Sequence, residues 1–195
     1  MRSRPHGSGP APGGVDGHVR GARILYPLTV VYRICGIEPP AAKAIDTAAI
    51  PDPYRALLVH ETDMTHTLER HIGDRVLLRP LSTAVRRGLY FRRVLLVHGS
   101  SGRPVEMGAI RIDLDAFPAH VRTQILEGAT PLGRILREAG LNYRIRPQHF
   151  LEITPNSDIM GVFRMREPRT LYGRQTTVML DGAKIGQVVE ILPLV

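Results

Sequence analysis

The dipeptide Asp181-Gly182 is the sequence feature that most constrains the fold. It separates two strand-like segments, Thr170–Leu180 and Lys184–Leu192, and a two-residue Asp-Gly connection is typical of a tight β-hairpin. Because a hairpin pairs its strands antiparallel, this region predicts an antiparallel sheet. The glycine fingerprints of Rossmann and P-loop proteins do not occur in the sequence, which disfavours a parallel nucleotide-binding sheet.

A second hairpin turn, His98–Gly102, joins two earlier strand-like segments. Two short helices are predicted at Pro118–Glu127 and Pro131–Glu138, since a glycine closes each of them. Apolar residues at helical spacing predict further helix between Tyr54 and His71. The fold class that follows is α+β, with a mostly antiparallel sheet of about six strands and helices packed on it. The other predicted strands are Arg75–Arg86, Tyr90–Val97, Val105–Leu114 and Tyr143–Thr154.

The chain is expected to divide into a tail and one domain. Residues 1–22 contain six glycines and three prolines, and this composition predicts a disordered tail. Residues 23–195 form the single predicted domain. At its start, residues 23–38 are predicted as a short strand or packed arm, and residues 41–53 as a loop that follows Pro39-Pro40.

The charge balance is basic, with a formal net charge of +8. Lys43 and Lys184 are the only lysines, and the arginines are spread over the whole length instead of forming long clusters. The sequence has no helix-turn-helix pattern, RNP-like motif or zinc finger. We therefore expect a small anionic ligand and no nucleic-acid partner.

A single cysteine, Cys35, excludes an intrachain disulfide and a cysteine-based zinc site, and we expect it to be a buried packing residue. No apolar run approaches the ~18 residues that span a bilayer. The N-terminus also lacks the apolar stretch of a secretory signal. These features predict a cytoplasmic protein with no membrane span.

Glu190 is the first candidate for chemistry. In a strand it shares one face with the apolar Val188 and Leu192, and burial there disfavours the charged form of a carboxyl group. Such a group can donate a proton near neutral pH or pair with a buried arginine. The alternative is a glutamate on a solvated edge strand.

Arg92 is the second candidate, because it lies in an apolar strand that continues through Leu95 and Val97. An arginine in that position needs an anionic partner, and its fork matches a carboxylate. The partner could be Glu190 or a ligand, unless Arg92 extends to the surface. Arg93 points to the opposite face, which makes it the natural control.

Two helix starts could present backbone N–H groups to an anion. The polar stretch Glu61-Thr62-Asp63 predicts a helix that begins at Met64 with Asp63 as its cap. In Thr130-Pro131-Leu132-Gly133, Thr130 is the expected cap and the N–H groups of Leu132 and Gly133 are free. Most such termini bind only water, so the spacing alone does not establish a site.

A metal site is a further alternative on the same helix. Asp63, His66 and Glu69 fall on one face, but the His-x-x-x-His pairing of common zinc helices is missing. We therefore expect no metal.

Taken together, these segments resemble the chorismate pyruvate-lyase family. The likeness covers about residues 53–195 and is carried by ETDMTHTLE, FRRVLLVHGSSGRPVEMG, ILEGATPLGRIL and LDGAKIGQVVEILP. The resemblance implies a six-stranded antiparallel sheet covered by helices. It also implies elimination of pyruvate from chorismate to give 4-hydroxybenzoate, by a cytoplasmic carbon–oxygen lyase that feeds ubiquinone or other aromatic biosynthesis.

The resemblance further implies the site residues. Arg92 falls on the family's ligand-binding arginine, which holds a substrate carboxylate, and Glu190 falls on its essential acid, here the expected general acid. Backbone donors fall near Met64 and Leu132. No cofactor is implied, and a monomer or small homo-oligomer is expected.

Two features depart from the family pattern. Ala109 stands where many members have an arginine after the glycine of the lid hairpin, and the stretch Ile153–Arg169 is longer than in compact members. The first difference affects the lid, and the second affects the wall of the pocket.

Other functions remain open at this point. A related lyase could act on 4-amino-4-deoxychorismate or give 3-hydroxybenzoate. A non-catalytic small-anion-binding domain could have the same fold, as in the effector domains of GntR-type regulators. Those regulators carry a winged-helix domain, for which the first 52 residues look too short and too rich in glycine and proline.

Overall fold

A seven-stranded antiparallel sheet forms the centre of the molecule in the computed structural model, which describes residues 23–193. The strand order is β1-β5-β6-β7-β4-β3-β2. The α+β class is confirmed, with one strand more than predicted. The strands are β1 (Ala41–Ile45), β2 (Val76–Arg86), β3 (Leu89–His98), β4 (Pro104–Asp113), β5 (Tyr143–Thr154), β6 (Leu171–Leu180) and β7 (Ala183–Leu192).

Helices cover both faces of this sheet. They are α1 (Leu28–Cys35), α2 (Tyr54–Leu58), α3 (Met64–Ile72), α4 (Ala119–Glu127), α5 (Leu132–Glu138) and α6 (Ser157–Phe163). Helices α1 and α6 pack on one face, where Leu28, Tyr32 and Ile159 join the inward side chains of the central strands. On the other face, α2 and α3 pack over one half and α4 and α5 over the other.

The N-terminal part of the domain differs from the prediction. Residues 23–38, expected as a strand or arm, contain helix α1, which follows Pro27 and ends at Gly36 in the left-handed conformation. The expected loop at 41–53 begins with β1, an edge strand paired with β5. Cys35, expected to be buried, is exposed at the end of α1. The predicted tail, residues 1–22, lies outside the described residues.

The predicted helix start at Asp63 is confirmed, because its side chain accepts a hydrogen bond from the His66 N–H in the first turn of α3. The long stretch Ile153–Arg169 contains α6, which accounts for its length. Among the helices of residues 23–193, none is long and apolar enough to cross a membrane.

Candidate functional site

A cavity lies between the sheet and helices α3 and α5. The volume open to the centres of water molecules is about 70 Å³, which is room for several of them. Its wall includes all four residues that the sequence analysis singled out for ligand contact, namely Met64, Arg92, Leu132 and Glu190. Alternation of side chains along the strands places Arg92 and Glu190 on the same face of the sheet.

Arg92 is a buried cation without a carboxylate partner among the described residues. It is 2% exposed, and burial lowers the pKa of its guanidinium group. Its Nη1 donates to the carbonyl of Ile125 at 3.4 Å, and its Nε has no hydrogen-bond partner. Since Ile125 is in the last turn of α4, the negative end of the helix dipole offsets part of the charge. The guanidinium group keeps donor capacity that this part of the chain does not use.

Glu190 pairs with a buried arginine, which is Arg174 and not Arg92, so of the two partners left open for Arg92 only a ligand remains. Arg174 and Glu190 are opposite each other in the β6–β7 ladder, and Arg174 Nε donates to Glu190 Oε2 at 2.5 Å. Arg174 is fully buried. Its other donors bind the carbonyls of Leu58, His60 and Thr62 and the Nδ1 atom of His60.

His60 is held as the neutral ring by these contacts. Because arginine is only a donor, the bond from Arg174 requires Nδ1 of His60 to be unprotonated, and Nε2 can then donate to the Leu57 carbonyl. Burial, followed by the charge of Arg174, lowers the pKa of His60. The bonds from Arg174 thus fix the connection between α2 and α3 to the sheet beside the cavity.

Glu106 is a cavity residue that the sequence analysis missed. It lies on β4, is 4% exposed, and its Oε2 atom has no hydrogen-bond partner. Burial raises the pKa of Glu106 well above its usual range, and the nearby charge of Glu190 adds to this effect. Both effects favour the uncharged form of the Glu106 carboxyl group. Its signal in the sequence is an acidic residue inside the apolar run Val105–Leu114.

Asp63 joins the two helix starts at the cavity. Besides the cap bond, its carboxylate accepts two bonds from Arg137 Nη1 at 2.8 Å and one from the Tyr143 hydroxyl at 2.9 Å. Burial alone would raise the pKa of Asp63, but these bonds and the His66 N–H outweigh it and lower the pKa. A Cβ atom on Gly133 would lie 2.4 Å from Asp63 Oδ1, so only glycine allows this contact.

The alternative of a metal site on α3 does not match these contacts. Glu69 binds Arg134 and the Val76 N–H, while Asp63 is bonded as above. Across residues 23–193, no group of three or more histidine, cysteine, aspartate or glutamate side chains is arranged to hold a metal ion.

Arg93 points to the opposite face, as predicted, but it is not a neutral control. It is 6% exposed, binds Asp158 of α6, and lies over the ring of Tyr32 at 5.1 Å. Tyr32 donates to the same carboxylate oxygen. Ala109 is also buried on that face, in the apolar cluster under α1 and α6, so it does not line the cavity.

Comparison with known proteins identifies solved structures of similar fold. No family model matches the chain, and no curated protein matches it. PhnF from Mycobacterium smegmatis is similar in structure, with a TM-score of 0.50 and 12% identity over 69% of this chain and 64% of that one. The chain thus spans about two thirds of the length of PhnF. At this identity the match shows the fold alone.

Two further solved structures are similar. The ligand-binding domain assigned to a GntR-family transcriptional regulator of Bordetella bronchiseptica has a TM-score of 0.47 and 13% identity, over 60% of this chain and 85% of that one. The C-terminal domain of histidine utilization repressor from Pseudomonas syringae pv. tomato has a TM-score of 0.40 and 17% identity, over 61% and 92%. The fold is the chorismate lyase-like fold that regulator effector domains share.

The expectation that this chain is a carbon–oxygen lyase is corrected by these comparisons. Two of the similar structures named above are described as domains of a transcriptional regulator and of a repressor, and neither is described as a lyase. The resemblance to the lyase family identified the fold. We do not assign to Arg92 and Glu190 the catalytic role that it implied.

Proposed function

We propose that this chain is a non-catalytic ligand-binding domain that takes a small carboxylate into the cavity, with Arg92 binding the carboxylate group. The observation that carries the proposal is the state of Arg92, which is buried, lines the cavity and has no anionic partner among the described residues. The regulator ligand-binding domains of the same fold support this reading.

The energetics of a buried guanidinium favour a binding role. Taking a charge out of water costs several kcal/mol unless an opposite charge compensates it, and one long bond to a carbonyl is weak compensation. A ligand carboxylate would supply the missing charge and accept two parallel bonds from the fork. The remaining wall is largely apolar, with Val94, Ile110 and Val178 among the lining residues, and it suits a hydrocarbon or aromatic body.

The other predicted contacts complete the proposed site. Met64 and Leu132 are the first residues of α3 and α5, where N–H groups have no carbonyl partner within the helix. We assign them as backbone donors to the ligand. Glu190, fixed by Arg174, serves as a hydrogen-bond acceptor in the wall. No step in this account requires a cofactor.

Titration with benzoate, followed by NMR, tests the proposal. We expect saturable binding to one site, with shifts at residues of the cavity. An Arg86→Met variant, which removes an exposed arginine on β2, should bind as the wild type does.

A second arm tests the absence of catalysis. Incubation with chorismate, with pyruvate measured by a coupled assay, should give no release above the rate without protein. Pyruvate release that depends on the protein, or no saturable binding of benzoate or 4-hydroxybenzoate, would overturn the proposal.

A further inference from the structure

The cavity has two chemically different ends. Arg92 is opposite Ile110 in the β3–β4 ladder, whereas Glu106 is opposite Leu96, four residues further along the strands. At about 3.3 Å per residue, the backbone positions of these two residue pairs are roughly 13 Å apart along the strands. The charges that affect the pKa of Glu106 most are those of Glu190, Arg174 and Asp63. A ligand held by Arg92 therefore presents its opposite end to Glu106.

The cations near Glu106 are already bonded. Arg174 uses its donors on Glu190 and on three backbone carbonyls, and Arg137 binds both carboxylate oxygens of Asp63. Within residues 23–193, this end of the cavity thus offers no unpaired cation to a second ligand carboxylate. Placing a second anion there would bury a charge without a counter-ion, beside Glu190 and Asp63.

Glu106 itself is suited to an uncharged partner. Its Oε2 atom is buried and has no hydrogen-bond partner, and such an atom costs free energy until it finds one. A protonated carboxyl group can both donate and accept a hydrogen bond. The apolar side chains Leu96 and Val94 line the wall on the adjacent strand.

We propose that Glu106 makes this cavity selective for monocarboxylates with an uncharged hydrogen-bonding group at the end opposite the carboxylate, and that dicarboxylates are excluded. This inference rests on the proposed function, since it assumes that Arg92 holds the carboxylate. It adds a residue that sets which carboxylate is bound.

Four para-substituted probes test the selectivity by calorimetry: benzoate, 4-methylbenzoate, 4-hydroxybenzoate and benzene-1,4-dicarboxylate. The hydroxyl and methyl groups are similar in size, so their comparison isolates the hydrogen bond. We expect the wild type to bind 4-hydroxybenzoate about five- to tenfold more tightly than 4-methylbenzoate, the scale of one net hydrogen bond. The dicarboxylate should bind more weakly than benzoate.

Two variants of Glu106 provide the matched comparison. Glu106→Gln keeps an uncharged donor and acceptor, so the preference for the hydroxyl group should remain. Glu106→Leu has neither, so the preference should disappear or reverse. Unfolding curves of both variants establish that they are folded before binding is measured.

The outcomes separate the two proposals. If the wild type binds none of the four probes, the proposed function fails. If carboxylates bind and their binding requires Arg92, the selectivity account alone is overturned by either of two results: an unchanged hydroxyl preference in Glu106→Leu, or tighter binding of the dicarboxylate than of benzoate.

Discussion

Arg174 and Glu190 face each other across β6 and β7, and Arg174 Nε donates to Glu190 Oε2 at 2.5 Å. The rest of the guanidinium group holds the chain between α2 and α3 by bonds to three carbonyls. Because Asp63 and the start of α3 follow directly, this fully buried arginine fixes one wall of the cavity to the sheet. Glu190 is thus part of the framework of the site as well as its lining.

Replacing Arg174 should destabilise the whole domain. Arg174→Met leaves Glu190 buried without its partner and leaves three carbonyls with fewer bonds, so we expect a loss of about 3–5 kcal/mol in the free energy of unfolding. Urea unfolding measures it. The exposed Arg86→Met should change stability by no more than about 0.5 kcal/mol. Equal effects of the two changes would show that the Arg174 network is not structural.

His60 should make stability depend on pH. Its pKa is lowered in the folded state, whereas in the unfolded chain it is near the ordinary value of about 6.5. The unfolded chain therefore binds the proton first, and stability should fall as the pH is lowered below about 6.5. His60→Asn keeps an acceptor for Arg174 and does not titrate, so it should flatten the profile between about pH 7.5 and pH 5.5. The exposed His120→Asn is the control, and equal slopes in the two variants would refute this assignment.

Gly133 should not tolerate a side chain. A Cβ atom there would lie 2.4 Å from Asp63 Oδ1, and the bonds from His66, Arg137 and Tyr143 prevent that carboxylate from moving freely. We expect Gly133→Ala to cost about 1–3 kcal/mol in thermal or urea unfolding. Gly161→Ala is the matched control, because it is also helical and a Cβ atom there meets nothing within 4 Å. It should leave stability unchanged or raise it by up to about 1 kcal/mol. A Gly133→Ala protein as stable as Gly161→Ala would contradict the close contact.

Local signals in the sequence were sufficient for much of the fold. The Asp181-Gly182 hairpin, the cap at Asp63 and the glycines that end α4 and α5 each depend on a few neighbouring residues, and the structure contains all of them. The alternation of side chains along β3 places Arg92 on the face of the sheet that lines the cavity.

The partner of Glu190 could not be read from the hairpin. A two-residue turn at Asp181-Gly182 pairs Leu180 with Ala183, and that register continued along the ladder would place Arg174 opposite Val189. A β-bulge between Val178 and Met179 shifts the register by one residue. Arg174 thereby comes opposite Glu190, on the same face of the sheet.

The elements that the sequence analysis missed have weak local preferences. The β-branched run in Thr29-Val30-Val31 favours a strand, yet α1 is helical because Leu28, Val31 and Tyr32 pack together on the sheet. The alanine-rich β1 has low strand propensity and forms by pairing along the edge of β5. In both cases contacts with distant parts of the chain decide the structure.

Calorimetric titration of 4-hydroxybenzoate into the wild type and Arg92→Met tests the central claim most directly. If Arg92 binds the ligand carboxylate, its removal should weaken binding by about thirtyfold or more, equivalent to about 2 kcal/mol. Because the guanidinium group has no anionic partner among the described residues, the free energy of unfolding should stay the same or rise. An Arg92→Met protein that binds 4-hydroxybenzoate with the wild-type Kd would contradict the account.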